Sequence, residues 1–325
     1  MNSIETIYYN PNEYASFPSL AFNPLDNSLY CIFRIAHTRT YYTHIDTRSK
    51  AIIMKRHIDD DGNWTKVNEL THNKSSGIQD ASILIYNGIF YITYFIWRNT
   101  VPTKPFTKER RFVELDGVYL WTTDDPSKSF SHSDVILYRS SMATSEPIVP
   151  YGSHLLIPAY ELYNNKDRSI LYDITTDEIF TVIGQSDELE FQEPSTCRWY
   201  NLLISMLRVP SKTGSKLYVV YAEGAEPYYT GLDGVSPNLI TLSNNDLLCT
   251  FCRRINNPSI RASFSKDSGL TWGNEIILAQ NAGGWDVGYP STVQLPDGSF
   301  ITAYYWYTKE DRIRQIECIR WNRDY

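Results

Sequence analysis

Six short segments concentrate the residues able to do chemistry. They read Phe17-Pro18-Ser19-Leu20, Asp80-Ala81-Ser82-Ile83, Glu146-Pro147-Ile148-Val149, Glu193-Pro194-Ser195-Thr196, Ser236-Pro237-Asn238-Leu239 and Tyr289-Pro290-Ser291-Thr292. Three open on a carboxylate (Asp80, Glu146, Glu193) and one on a phenol, Tyr289. Positioned carboxylates and phenols exchange protons with a bound ligand, and arginines hold anions through charge-assisted hydrogen bonds. Arg208, 15 residues after Glu193, and Arg261, 28 residues before Tyr289, are the candidate anion holders, with Arg253 and Arg254 as rivals to Arg261. Trp285-Asp286, just ahead of Tyr289, offers a ring to stack on a sugar face and an alternative acid. Asp46 is a further acid candidate, in the polar loop Thr43-His44-Ile45-Asp46-Thr47, where an Asp is most often a turn former. The structural competitors are a core tyrosine for Tyr289, an ion pair with a neighbouring element for Glu193 and Glu146, and surface salt bridges for the arginines.

The elements that must position these residues show as a repeat. The six segments start 43 to 66 residues apart, the length of a four-stranded blade with variable outer loops. Each is followed by a turn and a second strand-like run, as at Tyr86-Asn87-Gly88 and Pro296-Asp297-Gly298, where Asn-Gly and Asp-Gly signal hairpins. Ser265-Lys266-Asp267-Ser268-Gly269-Leu270-Thr271-Trp272 is a near-perfect Asp-box, the turn between two outer strands of a blade. Its Ser and Asp suit turn N–H groups, its Gly a positive φ, and its Trp the apolar face of the blade. Asp60-Asp61-Gly62-Asn63-Trp64 and Thr122-Thr123-Asp124-Asp125-Pro126 are decayed copies. The expected fold is all-β: a six-bladed β-propeller of four-stranded antiparallel blades in a single domain, residues 1–325. Ile4 to Tyr9 is expected to close the ring beside Ile313 to Trp321.

On these motifs the chain resembles the sialidase (neuraminidase) superfamily across nearly its whole length. The resemblance implies a Tyr nucleophile at Tyr289, a Glu partner at Glu193, an acid/base at Asp46, and substrate-binding arginines at Arg208 and Arg261. Asp80, Glu146, Trp285 and Asp286 are further candidates for the pocket wall. A neutral phenol relayed to Glu avoids the repulsion a carboxylate nucleophile would meet from an anionic sugar. The chain departs from the family at Ser16, where sialidases carry the first of three arginines that clamp the sugar carboxylate; Arg34, Arg39 and Arg98 are possible replacements. The implied activity is that of an exo-glycoside hydrolase on a terminal sialic-acid-like or other acidic sugar. The alternatives are a glycan- or small-ligand-binding propeller without catalysis, and a propeller polysaccharide lyase or uronate-specific hydrolase.

A net charge of −7 and a pI near 5.4 argue against a nucleic-acid partner but allow a carbohydrate or other small anionic ligand. The 25 tyrosines suit strands first and sugar stacking second. The five cysteines, scattered in apolar runs, are expected to be reduced core thiols, and neither a metal nor a cofactor is called for. The N-terminus has no signal-peptide pattern and no apolar run spans a membrane, so the expected location is the cytoplasm, with release by another route as the alternative.

Overall fold

The computed structural model describes residues 4–37, 46, 48–60, 63–72, 76–99, 113–130, 135–138, 141–212, 214–222 and 225–323. Its first strand, β1 (Ile4–Tyr8), belongs to the last sheet. Blade one comprises β2 (Tyr14–Asn23), β3 (Ser28–Ala36), β4 (Lys50–His57) and β5 (Thr65–Leu70). Blade two comprises β6 (Ser76–Tyr86), β7 (Ile89–Asn99), β8 (Val113–Thr123) and β9 (Val135–Tyr138). In blade three the innermost strand is split into β10 (Met142–Ala143) and β11 (Val149–Tyr151), ahead of β12 (His154–Tyr163), β13 (Lys166–Asp173) and β14 (Glu178–Gly184). Blade four is β15 (Gln192–Trp199), β16 (Leu202–Ser211), β17 (Gly214–Tyr221) and β18 (Tyr228–Asp233). Blade five is β19 (Val235–Thr241), β20 (Leu247–Arg253), β21 (Ser259–Ser265) and β22 (Ile276–Gln280). Blade six is β23 (Gly288–Gln294), β24 (Phe300–Trp306) and β25 (Gln315–Trp321), completed by β1 through pairs such as Ile4 with Ile319. The six-bladed antiparallel propeller and its closure by the N-terminal strand are as the sequence leads one to expect.

The blades bury apolar faces against one another. Six clusters fill the six junctions: Tyr30, Ile32 and Ile53 of blade one, for example, pack on Ile83, Ile92 and Tyr94 of blade two. All five cysteines are free and buried within these blades. Trp272 returns from the Asp-box onto the junction of blades four and five, its indole N–H donating to Gly269 O at 3.0 Å. Ser265 Oγ accepts from Gly269 N at 2.8 Å and Asp267 Oδ1 from Thr271 N at 2.8 Å, so this motif spends its polar groups on its own turn. Asp61 and Gly62 of the first decayed copy lie outside the described residues.

One distortion recurs at the axis. Phe17, Asp80, Glu193, Ser236 and Tyr289 all have left-handed φ, between 41° and 56°, and each sits at a break in register between the first two strands of its blade. A non-glycine residue in that region costs on the order of 1–3 kcal/mol and persists only where its surroundings over-determine it. Here the bulge turns one side chain per blade toward the axis while the following residues resume the strand. Glu146 is the exception, because the split strand of blade three has no such bulge.

Just past the bulges a belt of side chains ties neighbouring blades together. Ser291 Oγ accepts from Leu20 N (2.9 Å), Ser19 Oγ from Ile83 N (3.2 Å) and Ser195 Oγ from Leu239 N (2.8 Å). Ser82 Oγ donates to Glu146 O at 3.0 Å, and Asn238 Oδ1 accepts from Thr292 N at 2.9 Å. Ser19, Ser82, Ser195 and Ser291, third residues of four of the six segments, are therefore inter-blade clasps, Asn238 takes the same position in blade five, and in these five blades the residue two positions earlier is the bulge residue.

Candidate functional site

The register breaks pair each residue preceding a bulge with a particular residue of the second strand: Ser16 with Arg34, Gln79 with Phe95, Gln192 with Arg208, Val235 with Cys252, and Gly288 with Tyr305. These second-strand residues, with the bulge residues, surround the mouth of the axis. Arg34 and Arg208 are thus equivalent positions of blades one and four.

Tyr289 and Glu193 meet there. Tyr289 Oη donates to Glu193 Oε1 at 2.8 Å, and Arg208 Nη1 donates to the same oxygen at 2.6 Å. The second carboxylate oxygen accepts from Ser236 N at 3.1 Å and Ser236 Oγ at 3.2 Å. Burial alone would push the Glu193 carboxyl up; the charges of Arg208 and Arg254 and the bonds from Tyr289 and Arg208 hold it below the usual range. Burial, with Glu193 and Asp80 adding to it, pushes the Tyr289 phenol well above its usual value. A phenol that resists ionisation, aimed at a carboxylate that stays ionised, is a proton donor–acceptor pair with its direction set. Phe17 packs edge-on against the Tyr289 ring, with centroids 4.6 Å apart.

Arg254, directly after β20, stands beside the Tyr289 ring. Its guanidinium carbon is 5.8 Å from the Tyr289 ring centre, Nε donates to Val287 O at 3.0 Å and Nη2 to Tyr305 Oη at 3.2 Å. Arg261 does not join this group. It lies on β21, where Nη1 donates to Glu275 Oε2 at 2.6 Å and Nε to Ser259 Oγ at 2.9 Å, and Arg253 takes the other oxygen of Glu275 at 2.6 Å. The arginine facing the tyrosine is the one at the end of the second strand; Arg261 belongs to an ion-pair network of the third.

The remaining candidates divide. Asp80, at the blade-two bulge, is buried, accepts from Gln79 Nε2 at 2.7 Å, and is raised to about 7 by burial and by Glu193. Glu146 is not part of the mouth: its carboxylate accepts from Asn238 Nδ2 at 2.8 Å and Ser195 Oγ at 3.2 Å, and it lines a cavity of about 370 Å³ along the axis. Burial raises it to about 8 against those two bonds. Asp46 is held by its own loop, with Oδ1 accepting from Arg48 N at 2.8 Å and its backbone O accepting from Ser49 Oγ at 2.8 Å, and it abuts Gly77. Trp285 is 47% exposed, whereas Asp286 is 1% exposed and so is withdrawn from solvent. Asp286 accepts from Tyr14 Oη at 3.0 Å, Tyr305 Oη at 3.3 Å and Arg314 Nε at 3.0 Å.

Ser16 is fully buried and Arg34 Nη1 lies 3.4 Å from its Oγ, over the rings of Tyr14 and Phe17. Of the other possible replacements, Arg39 lies outside the described residues and so does the side chain of Arg98. Tyr14, Tyr305 and Arg314 carried no motif in the sequence. No group of three or more His, Cys, Asp or Glu residues among those described is arranged to hold a metal ion, and no described helix is long and apolar enough to cross a membrane.

No family model and no curated protein matches the chain. Among solved structures it is similar to a protein of unknown function from Dyadobacter fermentans DSM 18053, with a TM-score of 0.84 and 19% identity over 98% of both chains. It is also similar to Trypanosoma rangeli sialidase, with a TM-score of 0.66, 12% identity and coverage of 98% of this chain but 59% of that one. The intramolecular trans-sialidase from Ruminococcus gnavus, solved with oseltamivir carboxylate, gives a TM-score of 0.60 and 11% identity over 96% and 95% of the two chains. The fold is therefore the six-bladed propeller found in sialidases. At these identities the likeness extends to the fold alone.

Proposed function

We propose that the chain is a sialidase-like exo-glycoside hydrolase acting on a terminal acidic sugar. The observation that carries this reading is the hydrogen bond from Tyr289 to Glu193, with Arg208 on the same oxygen and Arg254 beside the ring. In the first step the Tyr289 oxygen bonds to the anomeric carbon as its proton passes to Glu193, and the glycosidic bond breaks with a proton delivered to the departing oxygen by Asp46. In the second, Asp46 takes a proton from water, the water oxygen displaces the tyrosyl oxygen, and Glu193 returns the proton to Tyr289. Because Tyr289 is held far from ionisation, proton transfer and attack must proceed together; Glu193 supplies the base that makes a phenol competent. Arg208 and Arg254 stabilise the negative charge of the sugar and of the developing phenolate.

A ligand-binding propeller without catalysis is the second reading, favoured by Ser16 in place of an arginine. Tyr289→Phe, assayed on aryl glycosides of acidic and neutral sugars, separates the two. The hydrolase reading expects a loss of at least about a thousandfold in kcat, in the range found when a nucleophile is removed. Unchanged hydrolysis removes it, and saturable binding with no product from the native protein favours the second reading.

A further inference from the structure

The cavity along the axis is built apart from the tyrosine–glutamate pair. None of the five bulge residues lines it; its wall begins at the clasp belt, with Glu146 and Asn238, and follows the innermost strands onward to Ile85, Pro150, Arg198 and Thr241. Its volume of about 370 Å³ falls within the span of small-molecule pockets. Most of the wall is aliphatic, and Glu146 is the only acid and Arg198 the only base among its lining residues. Arg198 is exposed, and its Nε donates to Tyr200 O at 2.8 Å, which ties the side chain to the turn between β15 and β16. Ser195, bonded to Glu146, lies three residues before Arg198 on β15, about 10 Å away at the rise of a strand, so the acid and the base stand at opposite ends.

Glu146 is nine-tenths buried, and its two oxygens differ. Oε2 accepts from both Asn238 Nδ2 and Ser195 Oγ; Oε1 has no hydrogen-bond partner among the described residues and is not sealed in, which leaves it to the cavity. The ionisable groups in electrostatic reach are Glu193, an anion, and the buried thiol of Cys249. A carboxylate in apolar surroundings therefore lacks a counter-charge from the protein.

We propose that this cavity is a second ligand site, for a primary ammonium carried on a slender aliphatic body. The ammonium sits on Glu146 Oε1, and the body runs along the apolar wall toward the turn after β15. An ammonium has three donors: one meets Oε1, and the first strands, which have no neighbour on their axial edge, offer backbone carbonyls to the others. The site is separate from the mouth and does not depend on the proposed hydrolysis.

The test is calorimetric titration of hexylamine, and of hexan-1-ol as its uncharged counterpart, into the full chain near pH 6.5 and 8.5. Hexylamine stays protonated at both, as a lysine does. At the higher pH it should bind saturably, and hexan-1-ol at least about tenfold more weakly. Burial holds the Glu146 carboxyl up at about 8, so at the lower pH the ammonium must displace its proton, and hexylamine affinity should fall at least about tenfold. Glu146→Gln, which cannot ionise, should lose that pH dependence and bind hexylamine about ten- to a hundredfold more weakly at the higher pH, with hexan-1-ol unchanged. Glu226→Gln, at an exposed carboxylate, should bind as the native protein does. If Glu146→Gln does not fold, as judged by its melting transition, the amine-to-alcohol ratio of the native protein and its change with pH decide the matter. Equal binding of amine and alcohol, or hexylamine affinity retained in Glu146→Gln, overturns the site. So does the absence of saturable binding at millimolar hexylamine, which would mean that the cavity takes only water. None of these outcomes bears on hydrolysis by Tyr289 and Glu193, which the Tyr289→Phe assay decides.

Discussion

Glu146→Gln isolates a buried carboxyl whose titration is coupled to folding. The Glu146 side chain is 9% exposed and is raised from 4.5 to about 8, chiefly by burial, with the bonds from Asn238 and Ser195 opposing and Glu193 adding to the rise. In the unfolded chain the group ionises near its ordinary value; in the folded protein it stays protonated to a much higher pH. Its folded value is the higher one, so between about pH 4.5 and 8 the native state binds more protons and stability falls as pH rises, by at most about 1.4 kcal/mol per pH unit from this group. Across that window the loss is on the order of 3–5 kcal/mol, an upper bound, since relaxation and water entry reduce it. A glutamine at this position keeps an oxygen for Asn238 Nδ2 and Ser195 Oγ and cannot ionise. The variant should match the native protein near pH 5 and exceed it in stability by a few kcal/mol near pH 8.5, as read from urea unfolding across pH. If the native and variant curves run parallel over this range, the carboxyl is already ionised within the axial channel and the reasoning fails.

Ser195→Ala leaves Leu239 N without its acceptor inside the belt that joins blades four and five, and should cost about 1–3 kcal/mol in urea unfolding; a cost under about 0.5 kcal/mol would show that the belt contributes little. Arg261→Met should change stability by no more than about 1 kcal/mol, since Glu275 keeps Arg253, and should leave hydrolysis unaltered, whereas Arg254→Met should lower kcat/KM by at least about tenfold. Equal effects of these two on kcat/KM would count against the separation of rim from mouth.

What was legible in the sequence, and what was not, follows from how each residue reaches the axis. The six segments announce the blades because a side chain that bonds the neighbouring blade's backbone is a local, repeated requirement, met by a serine in four of them and by Asn238 in a fifth. Tyr289, Glu193 and Arg208 were legible for the same reason: two are bulge residues, and the third pairs across the strand with the residue before one of them. Arg254 was harder to tell from Arg261, because counting back from Tyr289 does not say where the second strand ends and the third begins; the one-residue step past Arg253 that aims Arg254 at Tyr289 is a property of the strand terminus. Arg314 had no local signal at all. Its partner Asp286 precedes the first strand of the same blade, and Tyr14 meets it only once blade six closes on blade one.

The sharpest case is the pair of Glu-Pro dipeptides. Glu193-Pro194 and Glu146-Pro147 look alike, yet one carboxylate receives the Tyr289 proton donor at the mouth and the other is sealed in the channel between Ser195 and Asn238. The difference is backbone, not side chain: Glu193 takes a left-handed φ of 45° at a bulge, and Glu146 falls in the gap between β10 and β11. The bulge costs conformational energy in five blades, and in blade four that cost places a carboxylate beside two arginines that keep it ionised. Blade three avoids the strain, so its carboxylate meets no arginine and remains protonated near neutral pH. One dipeptide thus yields an ionised carboxylate or a neutral clasp, according to whether the strand carrying it is kinked.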